Sequence, residues 1–461
     1  MSERLLIKGG TVLSMDPAVG EIRSADVLVE DGAIAAIGAA LDVSDCDVID
    51  ASGMVVMPGL VDSHRHLWYA TVRGVGMDLV LRDLRTELWP KVAAHYTPDD
   101  VYVATRAAIL DALDHGITTV FDWCHIINSP EHADEAVRAH RELPMRAVFG
   151  FGASMTRKLS EYSGSTAVDD DWSAIAHLRD HGLSNCDGRV TLALALQGPE
   201  ANPMEASAVE IAASRELGLP MSMHVGMHEG APPRRSIGRL AEAALLGPDM
   251  QFVHCCSTTA EELARLADAG AAVVVCPVTE IALAIGIPPT GRIRDAGLAP
   301  ALGADAVCST SGDLFDEARV ALLTERCLRA ERRFADAHEV ESAGELGFSS
   351  REALEAVTIN GARACWLGDR VGSLTVGKRA DIVLLRASDL GLAPLSDVVG
   401  GVVGGAHGGN VDTVLVDGKV VKRHGRLVGV DLKAARSSLE RSRDKLFAAG
   451  GFPGARPLLE G

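Results

Sequence analysis

The chain has 461 residues, a formal net charge of −19 and a 47% hydrophobic fraction. So acidic a surface repels nucleic acid and anionic membrane, no apolar run reaches the ~18–20 residues of a membrane span, and the length suits one large barrel with a smaller companion domain. Nine cysteines without a CxxC spacing read mostly as buried free thiols of a reducing compartment, not as a disulfide frame.

The chain opens "MSERLLIKGGTVLSMDP", charged and then alternating like a strand. It lacks the features of a signal peptide, so the cytoplasm is the expected location. Up to residue 57, segments such as "ADVLVEDGAIAAIG" and "DVIDASGMVVMPG" are short strands separated by Gly-rich turns, which predicts antiparallel β structure. From 58 to 366 the pattern changes. Short apolar runs alternate with helical stretches: "VVMPGLVDSH", "GITTVFDW", "MRAVFGFG", "RVTLALALQG", "LPMSMHVG", "MQFVHCC", "AAVVVCP" and "LAPALGAD" are the strands. The segments between, such as "TPDDVYVATRAAILDALDHG" and "STTAEELARLADAG", carry helix-start residues and a terminal Gly. Eight such units predict an α/β protein with a (β/α)8 TIM barrel, whose active site lies at the C-terminal ends of its strands. The strand texture returns over 367–430, in "GSLTVGKRADIVLLR" and "VDTVLVDGKVVKRHGRLVG", as the other half of a small composite β-sandwich. Between those two, "GGVVGGAHGG" lacks the Lys and glycine spacing of a phosphate loop and reads as a turning connection. Residues 431–461 read as a surface helix and tail.

Polar residues gather at the predicted strand ends. "DSHRH" puts His64 and His66 two apart, hence on one strand face. His224 ends strand five, His254 strand six and Asp305 strand eight. Buried together without a cation such a cluster is costly, and a metal ion removes the cost. His and Asp donors suit one divalent metal per chain, Zn2+ first and Fe2+ second. A metal would bring the pKa of a water toward neutrality. Asp305 would then accept its proton and His254 would hold the water or polarise the substrate.

These residues, with the flanking "GGTVLSMDP", "VIDASGMVVMPG", "TINGARACWLGD" and "VGSLTVGKRADIVLL", resemble the amidohydrolase superfamily. The closest likeness is to its metal-dependent branch of chlorohydrolases, triazine hydrolases and cytosine or guanine deaminases, and it covers nearly the whole chain. The resemblance implies His64, His66, His224 and Asp305 as ligands of a single metal, and a catalytic role for His254 beside Asp305. No lysine follows "TLALALQG" to bridge two metals. Deaminases of the branch carry HxxE on strand five, where Glu passes a proton to the ring nitrogen. Here that slot is Met227. Glu229, Glu200 and His125 are the alternative shuttles, and Asp305 with His254 could carry all proton transfer.

The expected activity is metal-dependent hydrolysis of a non-peptide C–N bond by an activated water. The bond would be an amide, urea, carbamate or amidine of a small cyclic or heteroaromatic molecule. One alternative is deamination of a purine, pterin or triazine ring with a relocated proton shuttle, and another is a binding protein without turnover. Trp68, Trp89, Trp123, His125, Gln197, Glu200, His228 and Glu229 are the candidate substrate contacts, the tryptophans conspicuous in a chain only 4% aromatic. Arg234 and Arg235 read first as a solvated loop. The partner expected is a small-molecule substrate, not nucleic acid or membrane, and the resemblance implies a homo-oligomer.

Overall fold

The computed structural model describes residues 4–154, 168–183, 188–228, 234–340 and 342–452. Eight parallel strands form one sheet in sequential order: Leu60–Arg65, Ile117–Ile127, Arg146–Ala153, Val190–Leu196, Met221–Val225, Met250–His254, Ala272–Val275 and Ala301–Leu302. Their side chains are buried almost throughout, which is why the sequence runs are continuously apolar instead of alternating. The last strand returns to the first: Asp305 N donates to His64 O and His66 N to Asp305 O, both at 2.9 Å, and Arg65 bridges Asp305 in parallel. Gly303 permits this approach, because a Cβ there would stand 2.5 Å from the carbonyl oxygen of His64. The helices between strands start as the sequence foretells. Pro98–Asp114 and Ala260–Asp268 open on capping boxes, Thr97 with Asp100 and Thr259 with Glu262. The "TINGARA" segment forms helix Ile359–Ala364, whose Ala362 packs in a core cluster with Val61, Phe121, Val148 and Ala193 of the barrel strands.

The predicted strand "VVMPGLVDSH" divides at Gly59. Met54–Pro58 belongs to a second sheet and Leu60–Arg65 to the barrel. A side chain at Gly59 would overlap Thr118, at 2.1 Å from its hydroxyl, so only glycine lets the chain cross from one sheet to the other here. The second sheet has nine strands from both ends of the chain. Met54–Pro58 pairs antiparallel with Ile382–Arg386, which joins the two halves. The sheet is mixed, which corrects the antiparallel expectation: Arg4–Leu13 runs parallel to both Asp47–Asp50 and Met54–Pro58. Those pairings cross over sequence between them, and alternation alone does not reveal strand direction. A second correction concerns "GGVVGGAHGG". Val398–Gly405 is an α-helix, capped by Asp397, which accepts from Gly400 N at 3.1 Å.

Arg146, fully buried at the start of the third barrel strand, ties the two sheets together. Its guanidinium donates to Asp381 at 2.8 and 3.1 Å and also to Asp417. Helix Leu432–Gly450 packs on Pro98–Asp114, with Leu446 and Phe447 buried and Ser442 donating to Asp100 at 2.8 Å. Among the described residues no helix is long and apolar enough to cross a membrane. Seven described cysteines besides Cys327 are at least half-buried free thiols or fully buried ones.

Candidate active site

The strand ends place five polar side chains around one point. His64 Nε2 lies 3.1 Å from His224 Nε2 and 3.5 Å from Asp305 Oδ1. His66 Nε2 is 3.2 Å from the same oxygen, and His254 Nε2 is 3.9 Å from Asp305 Oδ2. A hydrogen bond behind His66 fixes which of its nitrogens points inward. His66 Nδ1 donates to the carbonyl of Trp123 at 2.7 Å, so its Nε2 presents a lone pair. That lone pair faces a carboxylate oxygen, and two further imidazole nitrogens face each other. A lone pair set against a carboxylate oxygen in a buried site is what a cation would reconcile.

Burial favours neutral imidazoles at His64 and His224. Burial, and the neighbouring His66 and His254 against a partial offset from Asp305, hold His64 down at about 4. Burial and the surrounding histidines push His224 well below its ordinary range. Burial alone would raise Asp305, but its bonds to His64 and His66 keep the carboxyl well below the usual value. Burial would likewise lower His254, whose hydrogen bond to Glu280 and the charge of Asp305 reverse the direction. The donor atoms of His64, His66 and His224 lie within 4.8 Å of one another, and His64 and Asp305 meet the same limit. The set would offer four donors to a divalent ion, with water as a fifth ligand. His254 and Asp305 both adopt left-handed backbone, φ +76° and +55°. Such strain in non-glycine residues concentrates at functional positions.

Above this cluster opens a cavity of about 200 Å³. Trp89, Trp123, His125, Gln197 and Glu200 line it, as do His66, His224, His254 and Asp305. Trp89 Nε1 donates to Tyr69 Oη at 2.6 Å, and Trp123 stands edge-on to His224. His125 packs edge-on to His66, 4.2 Å between ring centres, and burial followed by the His66 charge pushes it well below its ordinary value. Glu200 accepts from Gly226 N at 2.9 Å and Ser236 Oγ at 2.7 Å. Trp68 is buried behind the wall, stacked on Tyr69, and Tyr69 supplies the lining surface instead. His228 is exposed and outside the lining, its backbone N–H held by Ile285 O at 2.8 Å. Glu229 lies outside the described residues.

Met227, three residues past His224, lines the cavity. Sequence reading passed over Arg85, Leu283 and Ile285, which reach the cavity from segments joined by the Leu81 N to Leu283 O bond. It gave second place to Arg234, which also lines the cavity. Glu280 was missed too. The signal available for it was "CPVTE", a helix start that puts Glu at the fourth position, within the first turn.

Comparison with known proteins now bears on this geometry. The profile of the Amidohydrolase family matches residues 55–421. The 5-methylthioadenosine/S-adenosylhomocysteine deaminase of Symbiobacterium thermophilum is 30% identical over 434 residues, covering 91% of this chain and 93% of its own. Among solved structures, an adenosine deaminase from Xanthomonas campestris with bound zinc superposes with a TM-score of 0.81 at 25% identity, covering 96% of this chain and 98% of that one. The atrazine chlorohydrolase TrzN from Arthrobacter aurescens TC1, complexed with zinc, gives 0.81 at 24% identity, with 95% and 100% covered, a likeness of fold.

Proposed function

The chain belongs to the amidohydrolase family, on the side that holds deaminases and triazine hydrolases, and is a hydrolase acting on C–N bonds other than peptide bonds; from that premise we propose that it removes an exocyclic amino group from a nitrogen heterocycle as ammonia. The observation that carries this reading is the four-donor set His64, His66, His224 and Asp305 at the foot of a cavity walled by Trp89, Trp123 and His125. The deaminase relative supports the substrate class. We infer one divalent ion per chain, with zinc favoured by the imidazole-rich donor set and by the zinc in the similar structures.

A bound divalent ion supplies Lewis acidity, easing deprotonation of water at neutral pH. The remaining work belongs to the chain. Trp89 and Trp123 give a planar ring two aromatic surfaces, and the apolar residues Met227, Leu283 and Ile285 exclude bulk water. Gln197, on the same wall, offers an amide that can donate to or accept from a ring edge. Asp305 takes up a proton of the attacking water and gives it to the leaving amine. His254, whose Nε2 stands on the other side of Asp305, is the second group placed for proton transfer. We further propose the division into 1–57, 58–366, 367–430 and 431–461, supported by the crossing at Gly59, together with a cytoplasmic, homo-oligomeric protein.

The test is ammonia release by the zinc-loaded protein from a panel of amino-purine nucleosides, aminopterins and aminotriazines. Turnover of one class, lost on chelation and restored by zinc, is the expected result. Silence across all three classes would overturn the reading. Met227 favours one second reading, hydrolysis that releases an alkyl or aryl amine from an amide or urea, where no ring nitrogen needs a proton.

A further inference from the structure

His254 has different neighbours at its two ring nitrogens. Nδ1 lies 3.1 Å from Glu280 Oε1, while Nε2 points to the cavity side, 3.9 Å from Asp305 Oδ2. Glu280 sits in the helix Pro277–Ala282, just after the seventh barrel strand, and is fully buried. Its Oε1 also accepts from Cys276 N at 2.9 Å. That second contact ties the fourth residue of the helix back to the N–H of the residue before the helix. It accounts for one oxygen's geometry but not for the rest of the group. A capping Glu has no need to be fully buried against an imidazole, nor to leave Oε2 buried without a partner.

Among the described residues, the wall that continues from His224 offers little for a second proton transfer. Three residues past His224 stands Met227, whose thioether carries no proton. Glu200, the carboxylate on that side, is engaged by Gly226 N and Ser236 Oγ. His254, backed by Glu280 at Nδ1 and turned toward the cavity at Nε2, has the placement for a second proton transfer, provided its ring is held in one tautomer.

We propose that Glu280 is the positioning residue for His254, holding Nδ1 as donor so that Nε2 relays a proton from the attacking water to the substrate's ring nitrogen. This rests on the heterocycle hydrolysis proposed above. The proton account closes. The water oxygen bonds to the ring carbon and one water proton passes to His254 Nε2. The C=N electron pair moves onto the ring nitrogen, which takes that proton from Nε2. The remaining hydroxyl proton passes through Asp305 to the amino group. The C–N bond then breaks with its pair on nitrogen, ammonia leaves, and the carbonyl forms. One water is consumed, and His254 and Asp305 end as they began. During the relay Glu280 lies against the transient positive imidazole, as a buried carboxylate does behind a catalytic histidine.

The experiment compares zinc-loaded wild type with Glu280→Gln and Glu280→Ala. Selective histidine 15N NMR reads the His254 tautomer, and steady-state kinetics use the best amino-heterocycle of the panel. In wild type the His254 proton is expected on Nδ1. Glu280→Gln keeps the acceptor and the tautomer but removes the charge, so kcat falls about 10-fold with KM and zinc content held. Glu280→Ala releases the ring into both tautomers and lowers kcat about 100-fold or more. A purely structural Glu280 would change melting temperature and zinc content and leave the tautomer alone. If Glu280→Ala does not fold, the near-isosteric Gln variant still decides. A wild-type proton on Nε2, or an unchanged kcat in both variants, overturns the proposal. If no amino-heterocycle is turned over at all, the deamination reading fails instead, and the tautomer still reports on the pair.

Discussion

His66 Nε2 and Asp305 Oδ1 face each other across 3.2 Å while His66 Nδ1 is committed to the Trp123 carbonyl. Two groups that both present lone pairs sit this close only with a cation between them. With the protein in neutral solution, that cation is expected to be a metal ion.

Zinc content is accordingly predicted at about one per chain, a number set by one four-donor site. His66→Ala and Asp305→Ala should each weaken binding by more than the 10–100-fold that loss of an outer partner costs. Metal analysis after dialysis against a weak chelator measures this. Retention of zinc in both variants would place the ion elsewhere.

Barrel closure and metal binding should fail together at Gly303. An added Cβ would stand 2.5 Å from His64 O and 2.8 Å from His64 N, both backbone atoms that cannot swing away. Overpacking of this kind costs about 1–3 kcal/mol, and more where backbone is the obstacle. Gly303→Ala is expected to lower both melting temperature and zinc content. Gly404→Ala, in a helix with nothing within 4 Å of the new methyl, is the control and should leave both intact. Normal zinc binding in Gly303→Ala would refute the coupling.

Much of this was legible because a parallel barrel writes itself as apolar runs of fixed order, and its strand ends are where polar residues stand out. His64, His224 and His254 interrupt such runs, so their convergence could be argued before any coordinates. What the runs could not carry was direction and depth. The parallel pairing of Arg4–Leu13 with Met54–Pro58 depends on a crossover that alternation does not encode. Trp68 and Tyr69 are neighbours in sequence, yet only Tyr69 reaches the cavity, a difference fixed by the turn of helix Leu67–Val72. Glu280 was hidden for another reason. Its partner His254 is 26 residues away, and local sequence describes only its bond to Cys276.

Trp89 should govern substrate affinity more than turnover. Its indole lines the cavity and is pinned by the 2.6 Å bond to Tyr69 Oη. Trp89→Ala removes an aromatic surface worth about 1.4 kcal/mol, or about 10-fold in KM for a planar substrate. Trp89→Phe keeps most of the wall, loses the hydrogen bond, and should raise KM less. Steady-state kinetics on one heterocycle separate the two. A fall in kcat at constant KM would assign Trp89 to the chemistry instead.

The clamp between the two sheets makes stability depend on acid in a defined direction. Burial would raise the Asp417 carboxyl, but Arg146 and the bond from Arg379 hold it below the usual carboxylate range. A group whose pKa is lowered by folding stabilises the fold above its unfolded value, about 3.9, and the contribution fades as pH falls through the folded value. Asp417→Asn should therefore lower the melting temperature at pH 7, where breaking one charged bond costs about 2 kcal/mol. The gap between variant and wild type should then narrow below about pH 4, as the wild-type carboxylate is itself neutralised. Arg146 would keep Asp381 in the variant, so the sheets stay joined and the proposed metal site, which shares no residue with the clamp, should be unaffected. Thermal melts from pH 7 to pH 3 measure the gap. A difference that stays constant across that range would mean the Asp417 charge contributes nothing, and that the clamp works through Asp381 alone.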